Sequence, residues 1–379
     1  MVRRDGWPRS VRAFAMSSPR APRYLSSCWL LVVGCGAGAG SVTTDLDAGL
    51  KLTSRLPVDA ARDVAPTAVY APAAPVVGHA SHPKAVGPYP IVLMHGMGGF
   101  DTLDNLPVDV SYFNGVQADL EAHGESQVYV TIAPPYDSSE NRAKSLAPQL
   151  DAILMKTRAA KLNLVAHSQG GMDARVLVSP GGLGYADRVA SVTTIATPHH
   201  GTKVADVALG LIPGAASGVE GSVANAFLTL LEKGIYSVDG DPNLMAQATQ
   251  LTTGYMANVF NPKYTDAAGV IYASYAGRTA LESGAGDCDD ALYANQPSSL
   301  DVAQPELAPT ASYLEAAGAT SDGLVPVNSA KWGTFMECVP ADHLKECGML
   351  LQNGPDPVSG FDHLVFFRAV VARLRAEGL

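Results

Sequence analysis

Along the chain, the spacing of apolar positions changes at Pro88. From there, continuous apolar runs alternate with stretches whose apolar residues recur every three or four positions. Tyr89-Pro90-Ile91-Val92-Leu93-Met94 is the first run, and Gln127–Ala133, Leu162–Ala166, Val189–Ile195 and Val270–Tyr275 read the same way. A strand covered on both faces has no polar side to show, so such runs predict core strands of a parallel sheet. Between the second and third runs, Leu146, Leu150, Ile153 and Leu154 share one face at helical spacing. The alternation predicts a single α/β domain over residues 88–379, a mostly parallel sheet flanked by helices. Residues 203–262 interrupt it with apolar helical stretches such as Val223–Leu231 and no strand. They are expected to form either a lid or cap over a site, or peripheral helices packed on the core.

The N-terminal part reads differently. Arg3, Arg4, Arg9, Arg12, Arg20 and Arg23 precede the short apolar run Trp29-Leu30-Leu31-Val32-Val33, which ends at Gly34-Cys35. A basic segment followed by a short apolar one is the pattern of a secretory signal, too short to span a bilayer. Val32-Val33-Gly34-Cys35 also resembles a lipobox, so residues 1–35 are expected to be a signal of lipoprotein type with a lipid anchor at Cys35. The alternative is a signal cleaved nearby and free secretion. Residues 36–87 read as a Pro/Ala/Gly-rich tether, extended at Ala71-Pro72-Ala73-Ala74-Pro75.

Composition narrows the partners. Charged residues make up 16% of the 379-residue chain and its formal net charge is −10. That balance suits a globular protein with apolar surface and argues against nucleic acid or an anionic membrane as partner. Of the five cysteines, Cys28 and Cys35 fall in the signal, leaving Cys288, Cys338 and Cys347 in the body. Export permits disulfides, and three thiols allow one bridge. The expected pair is Cys288–Cys338, with Cys347 a small buried apolar residue.

Candidate chemistry begins at Leu162-Asn163-Leu164-Val165-Ala166-His167-Ser168-Gln169-Gly170-Gly171. A strand here runs into a sharp turn and then a helix over Gln169–Leu177. That is the nucleophile elbow of the α/β-hydrolase fold, which needs small residues two before and two after the serine. Ala166 and Gly170 meet the need, although the first position more usually holds glycine. Ser168 is therefore the expected nucleophile, with the free N–H groups of the helix start beside it. Met94-His95-Gly96-Met97-Gly98-Gly99-Phe100 follows the first strand, and its glycines let backbone approach a substrate. The N–H groups of Met97 and Gln169 are the expected oxyanion donors. His95 precedes the serine and reads as structural.

In this fold the acid and then the histidine follow the serine. Asp322, in Thr320-Ser321-Asp322-Gly323-Leu324-Val325-Pro326, is the expected acid. Two histidines follow it in the same tripeptide, Asp342-His343-Leu344 and Asp362-His363-Leu364. His363 opens a terminal helix and reads as capping or packing. His343 lies in an irregular stretch that suits a base-bearing loop. Serine is a weak nucleophile at neutral pH, so His343 would take its proton while Asp322 holds the imidazole tautomer.

Together these residues resemble the pseudomonad-type bacterial triacylglycerol lipases over roughly residues 88–379. The likeness is dense at Tyr89–Leu93, His95-Gly96-Met97, His167–Gly171, Ser191–Ile195 and Thr197-Pro198-His199, and returns at Asp322–Val325, at His343-Leu344 with Glu346, and at Ala372-Arg373-Leu374. It implies hydrolysis of long-chain acylglycerol esters at a lipid interface, through an acyl-enzyme. It favours His343 over His363. It also implies a calcium ion steadying the histidine loop, held by an Asp matching Asp301 and by another two residues after the base. That second position is Lys345, a cation that repels calcium. Lys345 is expected to pair with Asp301 instead, so that no cofactor is required. The resemblance further implies a disulfide near the acid, but Asn328 stands at its cysteine. Many members mature with a dedicated membrane foldase, a partner on which these residues are silent. A short-chain esterase or polyester hydrolase on the same scaffold is the alternative function. A surface binding protein that lost catalysis is the remote one.

Overall fold

The computed structural model describes residues 72, 88–99, 102–103, 110–211, 221–227, 244–279, 287–288, 303–349 and 354–379. The signal and most of the tether lie outside the described residues, as does Asp301.

The apolar runs form the strands expected of them. β1 (Ile91–Met94), β2 (Val128–Thr131), β3 (Leu162–His167), β4 (Val189–Ile195) and β5 (Ile271–Gly277) are joined by β6 (Thr334–Val339). They make one sheet in the order β2-β1-β3-β4-β5-β6, and every neighbouring pair is parallel. β3 and β4 are buried at every position, including the polar Asn163, His167, Ser191, Thr193 and Thr194, because helices cover both faces of the sheet. β6 is absent from the sequence reading for a physical reason. It is an edge strand whose first half is partly exposed and which carries Glu337, so it shows neither an apolar run nor clean alternation.

Among the helices of the described residues are α1 (Val116–Ala122), α2 (Ser139–Thr157), α3 (Gln169–Val178), α4 (Lys203–Ala208), α5 (Leu244–Gln250), α6 (Ala308–Ala316) and α7 (His363–Ala376). α2 turns Leu146, Leu150 and Ile153 onto β-sheet residues such as Val92 and Leu164 in one core cluster. α7 packs Phe366, Phe367 and Val370 with Ile91, Leu93 and Val165 in a second. The two clusters divide the strand residues between them, so the sheet is covered on both sides. Asp362 caps α7 by accepting the N–H of Leu364 at 2.9 Å.

Within 203–262 the described parts are helical, and α5 is tied to the core. Gln250 accepts the N–H of Ser139 at 2.7 Å and donates to Glu140 at 2.6 Å, both at the start of α2. Cys288 is bonded to Cys338, the expected pair, with Cα atoms 5.9 Å apart, and Cys347 is a buried free thiol. Asn328, at the place of the family cysteine, donates to Asp287 at 2.7 Å, and Asp287 also accepts the N–H of Thr320 at 3.1 Å. The Cys288 corner therefore fastens the acid segment without a cysteine at 328.

Candidate active site

Parallel strands present all their C-terminal ends at one edge, and loops leaving that edge share a crevice. β1 ends at Met94 and β3 passes Ala166 directly beside it. The loop from His95 and the elbow at Ser168 are therefore neighbours by register. Ser168 follows β3 with φ 55° and ψ −132°, a conformation that a non-glycine residue adopts only when its surroundings impose it. They do so here through main-chain bonds. The Ser168 N–H donates to Ile195 O at 2.9 Å, and Thr197 Oγ1 donates to Ser168 O at 2.7 Å. Gly170 has no room for a side chain, because a Cβ would stand 2.5 Å from Met94 O. The small residue two after the serine is what lets α3 start hard against the loop.

His343 lies in the loop after β6, and Asp322 at the tip of a turn closed by a bridge between Ser321 and Pro326. The structure brings them to the serine. Ser168 Oγ lies 2.9 Å from His343 Nε2, and His343 Nδ1 lies 2.7 Å from Asp322 Oδ2. A carboxylate only accepts, so Nδ1 carries the proton and Nε2 is left to accept the serine hydroxyl. Asp322 Oδ1 accepts the N–H of Leu324 at 2.8 Å and of Val325 at 2.6 Å. One carboxylate oxygen is thus fixed by its own turn and the other faces the imidazole. Asp322 is fully buried and His343 nearly so, while Ser168 is partly exposed.

His363 is elsewhere. Its Nε2 faces Asn114 O at 2.7 Å, and its burial holds it below the ordinary histidine range. It ties α7 to the segment before α1, a packing role.

The loop expected to supply an oxyanion donor is gripped from below by a residue that sequence reasoning missed. Arg142, on α2 and fully buried, donates from Nη2 to His95 O at 2.8 Å and Gly96 O at 3.1 Å. Its Nη1 donates to Pro134 O, and its Nε pairs with Asp173 Oδ2 on α3 at 2.8 Å. In a trans peptide C=O and N–H point in opposite directions. Holding the Gly96 carbonyl therefore turns the Met97 N–H away from Arg142. His95 accepts the N–H of Ala133 at Nε2, 3.0 Å, and its Nδ1 faces Gly96 O at 2.8 Å. Burial, reinforced by Arg142, pushes His95 down to about 3, so it is neutral and structural. Gln169, the other expected donor, starts α3, and its side chain donates to Asp137 O at 3.0 Å and accepts from Gln247 of α5.

A second layer lies behind the imidazole. His167 packs its ring 4.6 Å from that of His343, with Tyr112 Oη 2.6 Å from its Nδ1 and Glu346 Oε2 3.0 Å from its Nε2. Burial, then the neighbouring His343, holds His167 well below the ordinary range. His167, His343 and Glu346 bring three ligand-type atoms within 4.8 Å of one another. Those atoms are already joined to each other, to Ser168 or to Asp322, and a metal would have to break these bonds. The sequence held a signal for His167 and Glu346, which lie within the quoted motifs. Nothing marked Tyr112 or Arg142, whose partners are distant in sequence.

The α/β-hydrolase fold family matches residues 89–233. The triacylglycerol lipase of Pseudarthrobacter phenanthrenivorans is 30% identical over 329 residues, 77% of this chain and 98% of the relative. The chain belongs to the bacterial triacylglycerol lipases. This lipase is also 30% identical to the Burkholderia plantarii triacylglycerol lipase, over 77% of this chain and 87% of that one. The Staphylococcus hyicus lipase crystal structure shares its fold, with a TM-score of 0.52 and 17% identity over 79% of this chain and 99% of that one. The lipase is a carboxylic-ester hydrolase with a lipid or ester substrate. No helix among the described residues is long and apolar enough to cross a membrane.

Proposed function

We propose that the lipase cleaves acylglycerol esters through Ser168, His343 and Asp322, with the N–H groups of Met97 and Gln169 as the oxyanion donors. The observation that carries the reading is the unbroken chain Ser168 Oγ–His343 Nε2, 2.9 Å, and His343 Nδ1–Asp322 Oδ2, 2.7 Å. Ser168 Oγ attacks the ester carbonyl carbon as its proton passes to His343 Nε2. Charge develops on the carbonyl oxygen, and donors fixed beforehand stabilise it without reorganising. Collapse breaks the bond to the alkoxide, which takes the proton from His343. Water then repeats the sequence on the acyl-serine, freeing the acid and restoring Ser168. Asp322 keeps the imidazole in one tautomer and stabilises the imidazolium.

The substrate is proposed to be an insoluble acylglycerol met at an interface, with part of residues 203–262 as a lid. Exposed Leu211 and Met245, at the borders of the described helices in this insertion, support an apolar face there. Export by the residue 1–35 signal, with Cys35 lipidated, is part of the same proposal.

Labelling with a fluorophosphonate probe tests the chemistry. Wild type is expected to carry one label, and Ser168→Ala none; a label retained in that variant overturns the assignment. Emulsified triolein against soluble p-nitrophenyl butyrate tests the substrate class. A sharp gain once an interface forms is expected, and a preference for the soluble ester would make this a short-chain esterase.

A further inference from the structure

The place where the family resemblance implies calcium is held by a buried amine. Lys345, two residues after His343, is 6% exposed, and its Nζ lies 3.1 Å from Asp356 Oδ2 and 4.0 Å from Asp342 Oδ2. The two carboxylates are built alike. Asp342 Oδ1 accepts the N–H groups of Leu344 and Lys345 at 3.0 and 2.9 Å. Asp356 Oδ1 accepts those of Val358 and Ser359 at 2.9 and 2.8 Å. Each aspartate thus spends one oxygen on its own turn and aims the other at the ammonium. A third segment joins them, because the Gln304 N–H donates to Asp342 Oδ2 at 2.8 Å. Gln304 follows Asp301 by three residues in the chain, and Asp301 itself is outside the described residues.

This donor set does not fit calcium. The ion takes about six to eight oxygens at about 2.3–2.6 Å. Here both inner oxygens are committed to backbone N–H groups, and a fixed positive charge stands among the outer ones. An ammonium suits the place better, needing only a few acceptors and no closed shell.

We infer that Lys345 is the resident cation of this site and a positioning residue for His343, so the lipase needs no calcium to hold its base. The inference builds on His343 as the base. Residues 342 and 345, on either side of His343, are the two that the ammonium joins to the turn at Asp356. Removing the charge leaves the buried Asp342 and Asp356 carboxylates without the cation they share, and the chain between them shifts to relieve them. His343 moves with it. Its 2.9 Å contact to Ser168 Oγ has little tolerance, since a displacement of about 1 Å costs about a hundredfold in rate. Burial pushes Asp356 up, yet the N–H of Ser359 and the Lys345 charge outweigh it and hold the carboxyl below its ordinary value.

Melting temperature and kinetics on soluble p-nitrophenyl butyrate, each in EDTA and in calcium chloride, test this in the full chain. Wild type is expected to give the same values in both. Lys345→Arg keeps most of both properties. Lys345→Met melts about 5–10 °C lower and loses about tenfold or more in kcat at little-changed KM. Lys345→Asp behaves like Lys345→Met in EDTA and recovers melting temperature and kcat in calcium, because a third carboxylate turns the place into an oxygen cage. The inference is overturned if EDTA lowers the wild-type melting temperature and calcium restores it. It is equally overturned if Lys345→Met matches wild type in both properties. Should Lys345→Met give no folded protein, Lys345→Asp decides, and no rise of its melting temperature with calcium counts against the inference. The melting arms stand whatever the role of Ser168, so a failure of the proposed chemistry is told apart from a failure here.

Discussion

Gly96 and Ser168 touch across two strand ends: a Cβ built at residue 96 would stand 2.7 Å from the serine Cβ. The same atom would lie 2.8 Å from Tyr112 Oη and 3.1 Å from His167 O. None of these neighbours can yield cheaply, since one is the strained elbow itself. Gly96→Ala is therefore expected to lower kcat by about a hundredfold. The fluorophosphonate labelling rate should fall in parallel, and a wild-type rate would show that the loop can move aside.

Arg142 separates loop geometry from stability. Arg142→Met leaves Asp173 buried without its partner, at a cost of about 3–5 kcal/mol. Burial already lifts Asp173 to about 6 against the pull of Arg142. Adding Asp173→Leu removes the orphaned carboxyl and should restore most of the stability. It does not restore the grip on the His95 and Gly96 carbonyls, so kcat should stay low in the double variant. Urea unfolding and kcat together check this; recovery of both would reduce Arg142 to a folding role.

His363→Gln should leave kcat within about twofold of wild type and cost about 1–2 kcal/mol, the worth of one buried hydrogen bond. His343→Ala should lose about a thousandfold or more. Equal losses would contradict the geometry that separates the two histidines.

Acid should unfold the lipase early. Burial holds His95 at about 3 and keeps His167 and His199 well below the ordinary value. Below about pH 6.5 the unfolded chain takes up protons on these rings and the folded one does not, so stability falls as pH falls. Each ring contributes up to about 1.4 kcal/mol per pH unit. Asp173, lifted from 3.8 to about 6, works the other way between those values and cancels about one of the three. Urea unfolding at pH 7 and pH 5 measures the difference. A flat profile would mean that these rings are protonated in the folded state.

Reduction should weaken the acid segment. The Cys288–Cys338 bond closes a 50-residue separation, and opening such a loop costs about 2–4 kcal/mol. A lower melting temperature after dithiothreitol, with activity at 25 °C largely kept, is expected.

Much of this protein is written locally. Among the described residues, five of the six strands of the parallel sheet announce themselves as apolar runs because helices cover both of its faces. Ser168 is legible because an elbow demands small neighbours, and Asp322 and His343 because chain order leaves few candidates. The sixth strand was not legible, since its partly exposed first half and the Glu337 that follows break the apolar run. Nor was the grip of Arg142 on the His95 and Gly96 carbonyls, the wedge of His167 behind His343, or the meeting of Lys345 with Asp356. Each joins residues whose neighbourhood exists only after the sheet has set its register. Short-range spacing encodes which element forms and where a chain can bend. Which buried charge finds which partner is decided by packing, because a charge can be buried only where the whole fold delivers its counterpart.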